Sequence, residues 1–443
     1  MGEVTVGLDI GTTSVKALAV ADDGSVVASV RRPHRVMVGP ARLEHDADAA
    51  WRQGVGEAFA EVVIGQAVRG VAVAAMVPSL SAVDERGRPC GAGLLYGDGR
   101  GAAAPGKNPA ESGEAAGFLR WLGAQHPRAS GFWPAQAVAN HALCGRAAID
   151  YATAYCLAPL FDGNGWVGES PDQFPAVVAD VAEPVGRVGS SGPLVGAGTI
   201  DALAAQYVVG ADSPGDVLVL LGATLIVWQV TSGWVERPGL WSVPHTASGL
   251  GMVGGASNAG GLFVDWVGRL LVEEQTTLDP HDVPVWQPYA RGERTPLHRP
   301  DLRAGLEGLH LGHGPAAVER AAYEASGFVV RQILDLARGP GVEPPRRIVA
   351  AGGGVRRAGW VAALADCTGL PVDVAAVPDA TALGTAFLAR CVAGLESNPN
   401  DGRRWARTAK RIEPDPAWQA PCTDRYETFR AGTAALVEGT PEP

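Results

Sequence analysis

The 443-residue chain has only three lysines, Lys16, Lys107 and Lys410, so arginine carries nearly all of its positive charge. Thirty-six basic residues stand against 47 acidic ones, a net charge of −11. That balance argues against a nucleic-acid scaffold and against a polybasic membrane anchor, both of which need clustered Lys and Arg. No apolar run approaches the about 18 residues that a transmembrane helix needs. The opening MGEVTVGLDIGTTS has neither the basic nor the apolar region of a secretory signal, and Val6 stands where a myristoylation motif needs Ser or Thr. The six cysteines form no C-x-x-C pair, so a disulfide framework or thiolate zinc site is not indicated and a reduced, cytoplasmic protein is expected. There is no H-E-x-x-H. His310 and His313 have no acidic or Cys partner in sequence reach and read as structural or surface residues. No G-x-x-x-x-G-K-[ST] loop occurs, and Arg357 stands where a G-x-G-x-x-G beginning at Gly352 would need its last glycine, which excludes a P-loop and a Rossmann site.

What is present is apolar residues in alternation with turns. Hydrophobic residues make up 47%, enough for sizeable cores, and the 59 glycines and 33 prolines follow no G-X-Y period. Residues 4–8, 15–20 and 25–30 read as three strands joined by tight turns, the first turn being Gly11-Thr12-Thr13-Ser14. Trp51, Val55, Phe59, Val62 and Val63 recur at helical spacing after Glu44-His45-Asp46, and residues 71–77 form another buried strand. The order βββαβ then begins again. Residues 216–221, Gly222-Ala223-Thr224 and residues 225–230 repeat strand, Gly-x-Thr turn, strand, some 210 residues later, which points to two similarly built domains. Helices are expected over 315–338, 360–367 and 381–392 and, weakly, over 426–437, with strands over 347–351 and 372–377. Residues 108–127 and 170–193 read as long surface connections.

A Gly-Thr-Thr-Ser hairpin offers backbone N–H groups and hydroxyls pointing one way, as phosphate oxygens require, although the same residues also serve a turn for its geometry alone. Asp9, one strand step earlier, could hold Mg²⁺ through water. Asp201, in Gly198-Thr199-Ile200-Asp201-Ala202, could be a plain helix cap or a base that takes the proton of an attacking hydroxyl. Gly352-Gly353-Gly354 at a strand end would let a flat ring approach the backbone, and the run Gly254 to Gly261 enters a helix.

These blocks together resemble the FGGY family of carbohydrate kinases, within the actin-like ATPase superfamily. VGLDIGTTSVKALAVADDGSVVAS, GTIDALAA, GDVLVLLGATLIVWQVT, GGASNAGGLFVDW, PYARGERTPLHRPDLRAGLEGL, VAAGGGVRRAGWVAALADCTGLPV and DATALGTAFLA follow one another from about residue 4 to 395. PYARGERTP looks closest to the xylulokinase and gluconokinase side. The resemblance implies an α/β protein of two RNase H-like domains, each with a mixed five-stranded sheet, facing across a deep cleft. The domains would span 1–195, the sugar side with the first phosphate loop, and 196–443, the nucleotide side, with a polar tail from about 396. The implied reaction is ATP-dependent, Mg²⁺-assisted phosphorylation of a small sugar, polyol or sugar acid. By position, Asp201 would be the catalytic base and Asp9 would serve the metal. Gly11, Thr12 and Thr13, with Gly222, Ala223 and Thr224, would hold phosphate, and Gly255, Gly353 and Gly354 would line the nucleotide.

The departures fall on the sugar side. Met76-Val77-Pro78 stands where xylulokinase-like members carry Gln-Met-His, and Pro78 removes a donor and an acceptor. The Arg-Glu of glycerol-kinase-like members is absent. Tyr96-Gly97-Asp98-Gly99-Arg100 keeps only the Asp and Arg of Trp-Asn-Asp-x-Arg, Ala202 replaces a frequent Asn, and Ala223 replaces Thr. Met76, Val77, Pro78, Asp98, Arg100 and Asp201 are the substrate-side candidates. A buried sugar hydroxyl without its partner would cost about 1–3 kcal/mol, so an acceptor other than xylulose, or another binding mode, is expected. A non-catalytic sugar or nucleotide sensor on the same fold is the alternative. A chaperone-type ATPase would need a peptide-binding domain for which no length remains after 395. No nucleic-acid or membrane partner is expected, and a homodimer stays open.

Overall fold

The computed structural model describes residues 3–39, 42–101, 114–168, 170–246, 249–272, 278–377 and 379–439. They divide into two compact units. Residues up to 101, 114–208 and 379–406 form the first, and 209–377 with 407–439 form the second.

In the first unit, β1 (Glu3–Ile10), β2 (Ser14–Val20) and β3 (Val26–Pro33) form an antiparallel meander. A π-helical turn, Asp48–Gln53, runs into α1 (Gly54–Val62), which returns the chain to β4 (Ala67–Ala75), parallel to β1. β5 (Leu194–Gly196) and a two-residue strand, Thr199–Ile200, add to β4 in parallel. The second unit repeats this plan. β6 (Asp216–Leu221), β7 (Leu225–Thr231) and β8 (Gly251–Ser257) form the meander, and β9 (Arg347–Ala351) and β10 (Val372–Ala375) add in parallel beside β6. Strand order is 3-2-1-4-5 in both.

Each main sheet has seven strands, where five were expected. The five-strand core is intact, and short strands extend it. These are Pro184–Arg187 with Thr199–Ile200 in the first unit, and Trp241–Pro244 with Thr408–Ile412 in the second. They are too short or too exposed to carry a clear apolar alternation.

The expected boundary at 195/196 also shifts. The helix Asp201–Val209 lies, up to 208, in the first unit, and so does the helix Ala380–Val392, which sequence order alone had assigned to the second. Glycine explains the second case. A Cβ on Gly7 of β1 would sit 1.9 Å from the Ala382 carbonyl oxygen, and one on Gly384 would sit 1.8 Å from that of Ala204. Helix Ala380–Val392 therefore rests backbone to backbone on β1 and on the helix that begins at Asp201. Thr5 Oγ1 donates to the Ala386 carbonyl at 2.8 Å on the same face of β1.

Of the stretch read as a connection over 108–127, the part before 114 lies outside the described residues; Glu114–Gln125 is a helix with Phe118 and Leu122 buried at i, i+4 spacing. Within 170–193, Val177–Ala179 pairs in parallel with Ala148–Asp150. The weak C-terminal helix spans Pro416–Gly439, with Cys422, Tyr426 and Phe429 buried in the core of the second unit. No helix among the described residues is long and apolar enough to cross a membrane, and all six cysteines are free thiols.

Candidate active site

In the first unit the chemistry gathers at the C-terminal ends of parallel strands. The register pairs Ile10 with Ala75 and Ala75 with Ile200. The chain leaves these residues into Gly11-Thr12-Thr13, Met76-Val77-Pro78 and Asp201, so three segments far apart in sequence share one sheet end. Ligands in open α/β sheets bind at that end. Asp201 opens its helix. Its Oδ1 accepts from the Ala202 N–H at 2.7 Å, and its carbonyl accepts from Thr381 Oγ1 at 3.3 Å. The turn before it rests on a buried polar set. Gln136 and Asn140 both donate to the Ala197 carbonyl, and Thr199 Oγ1 donates to Asp150 Oδ2 at 2.8 Å. Burial pushes the Asp150 carboxyl up.

Asp9 is buried on the face of β1 that carries Thr5 and Gly7. Lys16, its cross-strand partner, lies 3.4 Å from Asp9 Oδ2 and 3.2 Å from Asp379 Oδ1. Burial raises the Asp9 carboxyl, opposed by Lys16. Burial would lower the Lys16 ammonium, but the two carboxylates leave it raised.

The hairpin after β1 closes with Gly11 N–H donating to the Ser14 carbonyl at 3.1 Å. Thr13 is exposed, whereas Thr12 is buried and its hydroxyl meets Tyr96 OH at 2.5 Å. Two further contacts hold the carbonyls of the turn. His34 N–H donates to the Thr13 carbonyl at 3.0 Å, and His45 Nε2 donates to the Thr12 carbonyl at 2.8 Å. Trp51 Nε1 in turn donates to His45 Nδ1 at 2.9 Å.

The substrate-side candidates divide. Met76 is buried, which leaves Val77 and Pro78 as the partly exposed residues of their turn. Asp98 is enclosed. Its carboxylate accepts from Leu43 N–H at 2.7 Å, from Arg100 N–H at 3.0 Å and from the Arg100 guanidinium at 2.8 and 2.7 Å. It holds Arg100 in place and presents no free face to a ligand. Arg100 also pairs with Glu44 and lies 4.4 Å over the Trp121 ring. Burial alone would raise the Glu44 carboxyl, but Arg42 and Arg100 hold it low.

In the second unit the Gly222-Ala223-Thr224 turn and Gly352-Gly353-Gly354 follow adjacent parallel strands, with Leu220 paired to Ala351. The helix Gly261–Leu270 meets the turn with its N-terminus. Gly261 N–H donates to the Gly222 carbonyl at 2.8 Å and Leu262 N–H to the Ala223 carbonyl at 3.0 Å. Gly354 packs so tightly that a Cβ would sit 2.5 Å from the Trp360 ring. Gly255 lies elsewhere than expected. It is a buried residue inside β8, and its Cβ position is filled by Thr295, so it packs the strand and does not line the turn. Gly260 and Gly261 are the members of that run that come against the turn.

Sequence reasoning missed several supports. Glu293, from the PYARGERTP block, is buried and accepts from Asn258 N–H, Ser257 Oγ and Arg294 N–H at 2.8, 2.8 and 2.6 Å. Burial pushes its carboxyl up to about 7. His45, Trp51, Tyr96, Glu44 and Asp379 were likewise not singled out. The adjacent Glu44-His45-Asp46 was the available signal. His310 and His313 do have an acidic partner, Asp282, brought by the fold from 28 and 31 residues away. Both rings accept backbone N–H at Nδ1, so both Nε2 atoms carry protons toward Asp282. That is a hydrogen-bonded cluster, not a ligand set with free lone pairs.

Residues 222–393 match the model of the FGGY family of carbohydrate kinases, C-terminal domain. The chain aligns with a xylulose kinase of Streptomyces coelicolor at 28% identity over 92% of each chain. A xylulose kinase of Klebsiella pneumoniae is 26% identical over 87% of this chain and 89% of its own. The chain is similar to FGGY carbohydrate kinases, through this C-terminal domain and through relatives aligned over most of its length. The solved xylulose kinase of Rhodospirillum rubrum shares the fold of this chain, with a TM-score of 0.76 at 24% identity over 98% of this chain and 99% of that one. The protein is an ATP-dependent kinase of a sugar or polyol.

Proposed function

We propose that this kinase transfers the γ-phosphate of ATP in line to a hydroxyl of a small polyhydroxy acceptor, with Asp201 as base. The observation that carries the reading is the shared sheet end of Gly11–Thr13, Val77–Pro78 and Asp201. As the acceptor oxygen bonds to the γ-phosphorus, its proton passes to the Asp201 carboxylate and the bond to the β-phosphate oxygen breaks, releasing ADP. Thr12 and Thr13 hold the transferred phosphate through backbone N–H groups, to which the exposed Thr13 hydroxyl adds, while Gly11, whose own N–H goes to the Ser14 carbonyl, shapes the turn. In the second unit, Gly222, Ala223, Thr224, Gly353 and Gly354 hold the nucleotide. Replacement of Thr by Ala223 leaves backbone donors intact.

The donors near Lys16 suit Mg²⁺, since Asp9 and Asp379 are the hard oxygen ligands that this ion prefers. Magnesium, when bound, neutralises phosphate charge, and Lys16 keeps the two carboxylates together. On the acceptor side, Pro78 and Val77 offer apolar surface where a hydroxyl reader is absent, and Arg100, fixed by Asp98 and Glu44, is the cation of the candidate set. A sugar or sugar acid other than xylulose fits these residues. The presence of a buried carboxylate at Asp9 together with Asp201 argues for catalysis over a sensor, because a pure binder needs no base.

The test is an ADP-release screen over ketoses, aldonates, polyols and cyclitols. Asp201→Asn should lower kcat by about 10²–10⁴ on the best acceptor. Undiminished phosphorylation by Asp201→Asn with normal ATP affinity would sink the assignment.

A further inference from the structure

His45 has no exposed surface and was given no chemical role above, yet one of its hydrogen bonds ends on the phosphate hairpin. The ring's two contacts fix its state. An indole N–H can only donate, and a backbone carbonyl can only accept. With Trp51 donating to Nδ1 and Nε2 facing the Thr12 carbonyl, the imidazole must be neutral with its proton on Nε2. Burial, helped by His34 whose ring centroid lies 4.4 Å away, pushes the ring down to about 3. The donor to Thr12 therefore stays in place at every pH at which the enzyme would work.

What this bond does follows from the peptide plane. The 12–13 peptide is not among the cis bonds, so its C=O and N–H point to opposite sides. Holding the Thr12 carbonyl toward His45 turns the Thr13 N–H away from it. Thr13 is the exposed residue of the hairpin, and its own carbonyl is held by His34 N–H. We propose that His45 is a positioning residue for phosphoryl transfer, which aims the Thr13 amide N–H at the transferred phosphate by fixing the Thr12 carbonyl on the opposite side. The inference rests on the reading of Gly11–Thr13 as the phosphate hairpin. It assigns to Trp51 the role of locking the tautomer. Glu44-His45-Asp46 thus does more than lead into a helix.

Two substitutions separate the hydrogen bond from the packing. His45→Phe keeps a ring and removes the donor. His45→Gln places an amide N–H near the Nε2 position and an oxygen that can accept from Trp51. Readouts are thermal melting, the Kd values of ADP and of β,γ-imido-ATP by calorimetry, and kcat for ADP release with water and with the best acceptor of the panel. His45→Phe should lower kcat by about 10–100-fold, as expected for one misdirected transition-state donor, while the Kd of ADP stays within about twofold. Its preference for β,γ-imido-ATP over ADP should shrink. His45→Gln should recover kcat to within about threefold of the parent. A folded His45→Phe with parental kcat overturns the proposal, and so does a folded His45→Gln as impaired as His45→Phe. Should His45→Phe not fold, Trp51→Phe carries the test, with a kcat loss of about three- to tenfold expected and none overturning it. Thr13→Pro, which deletes the N–H itself, tests the underlying reading. If folded Thr13→Pro keeps parental kcat, the hairpin reading fails; if it collapses while His45→Phe does not, only the positioning role fails.

Discussion

The two Gly-x-Thr hairpins arise from the same strand order and are held in different ways. In the first, side chains do much of the holding, with His45 on the Thr12 carbonyl and Tyr96 on the Thr12 hydroxyl. In the second, the N-terminal amides of the helix Gly261–Leu270 hold the Gly222 and Ala223 carbonyls. By peptide planarity both arrangements turn N–H groups outward, Thr13 in one and Ala223 with Thr224 in the other. The side-chain version can be tuned by one substitution at a time. The backbone version tolerates a change of turn residue, such as Ala223, but depends on glycines that let a helix end come so close.

The strongest break in this comparison is therefore expected at Gly260. A Cβ there would sit 2.4 Å from the Leu225 nitrogen and 2.5 Å from the Thr224 carbonyl carbon. Backbone cannot give way as a side chain can. Gly260→Ala should cost about 3 kcal/mol or more in urea unfolding and weaken ADP binding at least about tenfold. Parental stability would mean that the helix end is not what fixes the second hairpin.

A smaller effect separates the scaffolding behind each hairpin by pH. Glu293 holds Ser257 and Asn258 just before that helix, and burial raises it to about 7. A carboxyl raised on folding binds its proton more tightly in the native state, so stability falls as pH rises from about 4.5 to about 7. Relative to Glu293→Gln, the parent should lose on the order of 2–3 kcal/mol across that window and change little above it. Urea melts of the two proteins at several pH values check this. The first hairpin runs the opposite way, because burial holds His45 neutral and pushes it from 6.5 down to about 3, so its contribution grows as pH rises from about 3 to about 6.5; both proteins carry His45, and it cancels between them. Equal slopes for the two proteins would remove the contrast.

Much of this was legible in the sequence, for reasons that differ by residue. The strands β1, β2, β6 and β7 announce themselves as apolar runs around glycine turns, and Asp9, Thr13 and Asp201 sit next to them. Helix Pro315–Ala337 shows an apolar face at helical spacing. The supports were not legible, because a hydrogen bond across 33 residues, as between His45 and Thr12, leaves no local pattern. Asp98 shows the opposite failure. Its place in a sugar-side block suggested ligand contact, but the backbone of Leu43 and the guanidinium of Arg100 already occupy its oxygens. Gly255 was grouped with the nucleotide glycines by adjacency alone, whereas alternation along β8 turns it toward Thr295. The unit assignment of helix Ala380–Val392 depended on Gly7 and Gly384, and a missing Cβ shows its purpose only once the neighbour is known.

The finest test concerns Tyr96, the other side-chain hold on the first hairpin. Tyr96→Phe keeps the ring buried and removes the oxygen that meets Thr12 Oγ1. Taking away one partner of a buried hydroxyl should cost about 1–2 kcal/mol of stability. The Thr12 carbonyl would still be held by His45, so the Thr13 N–H should keep its direction and kcat should stay within about threefold of the parent. Steady-state kinetics beside a melting curve separates the two quantities. A loss of kcat as large as that expected for His45→Phe would show that the whole pocket, and not the single bond to the carbonyl, sets the hairpin. In that case the first hairpin would resemble the second more closely than its contacts suggest, since both would be aimed by a packed surface. A stability loss with little change in kcat would place the division of labour within one residue, with the Thr12 hydroxyl anchoring the turn and the Thr12 carbonyl directing it.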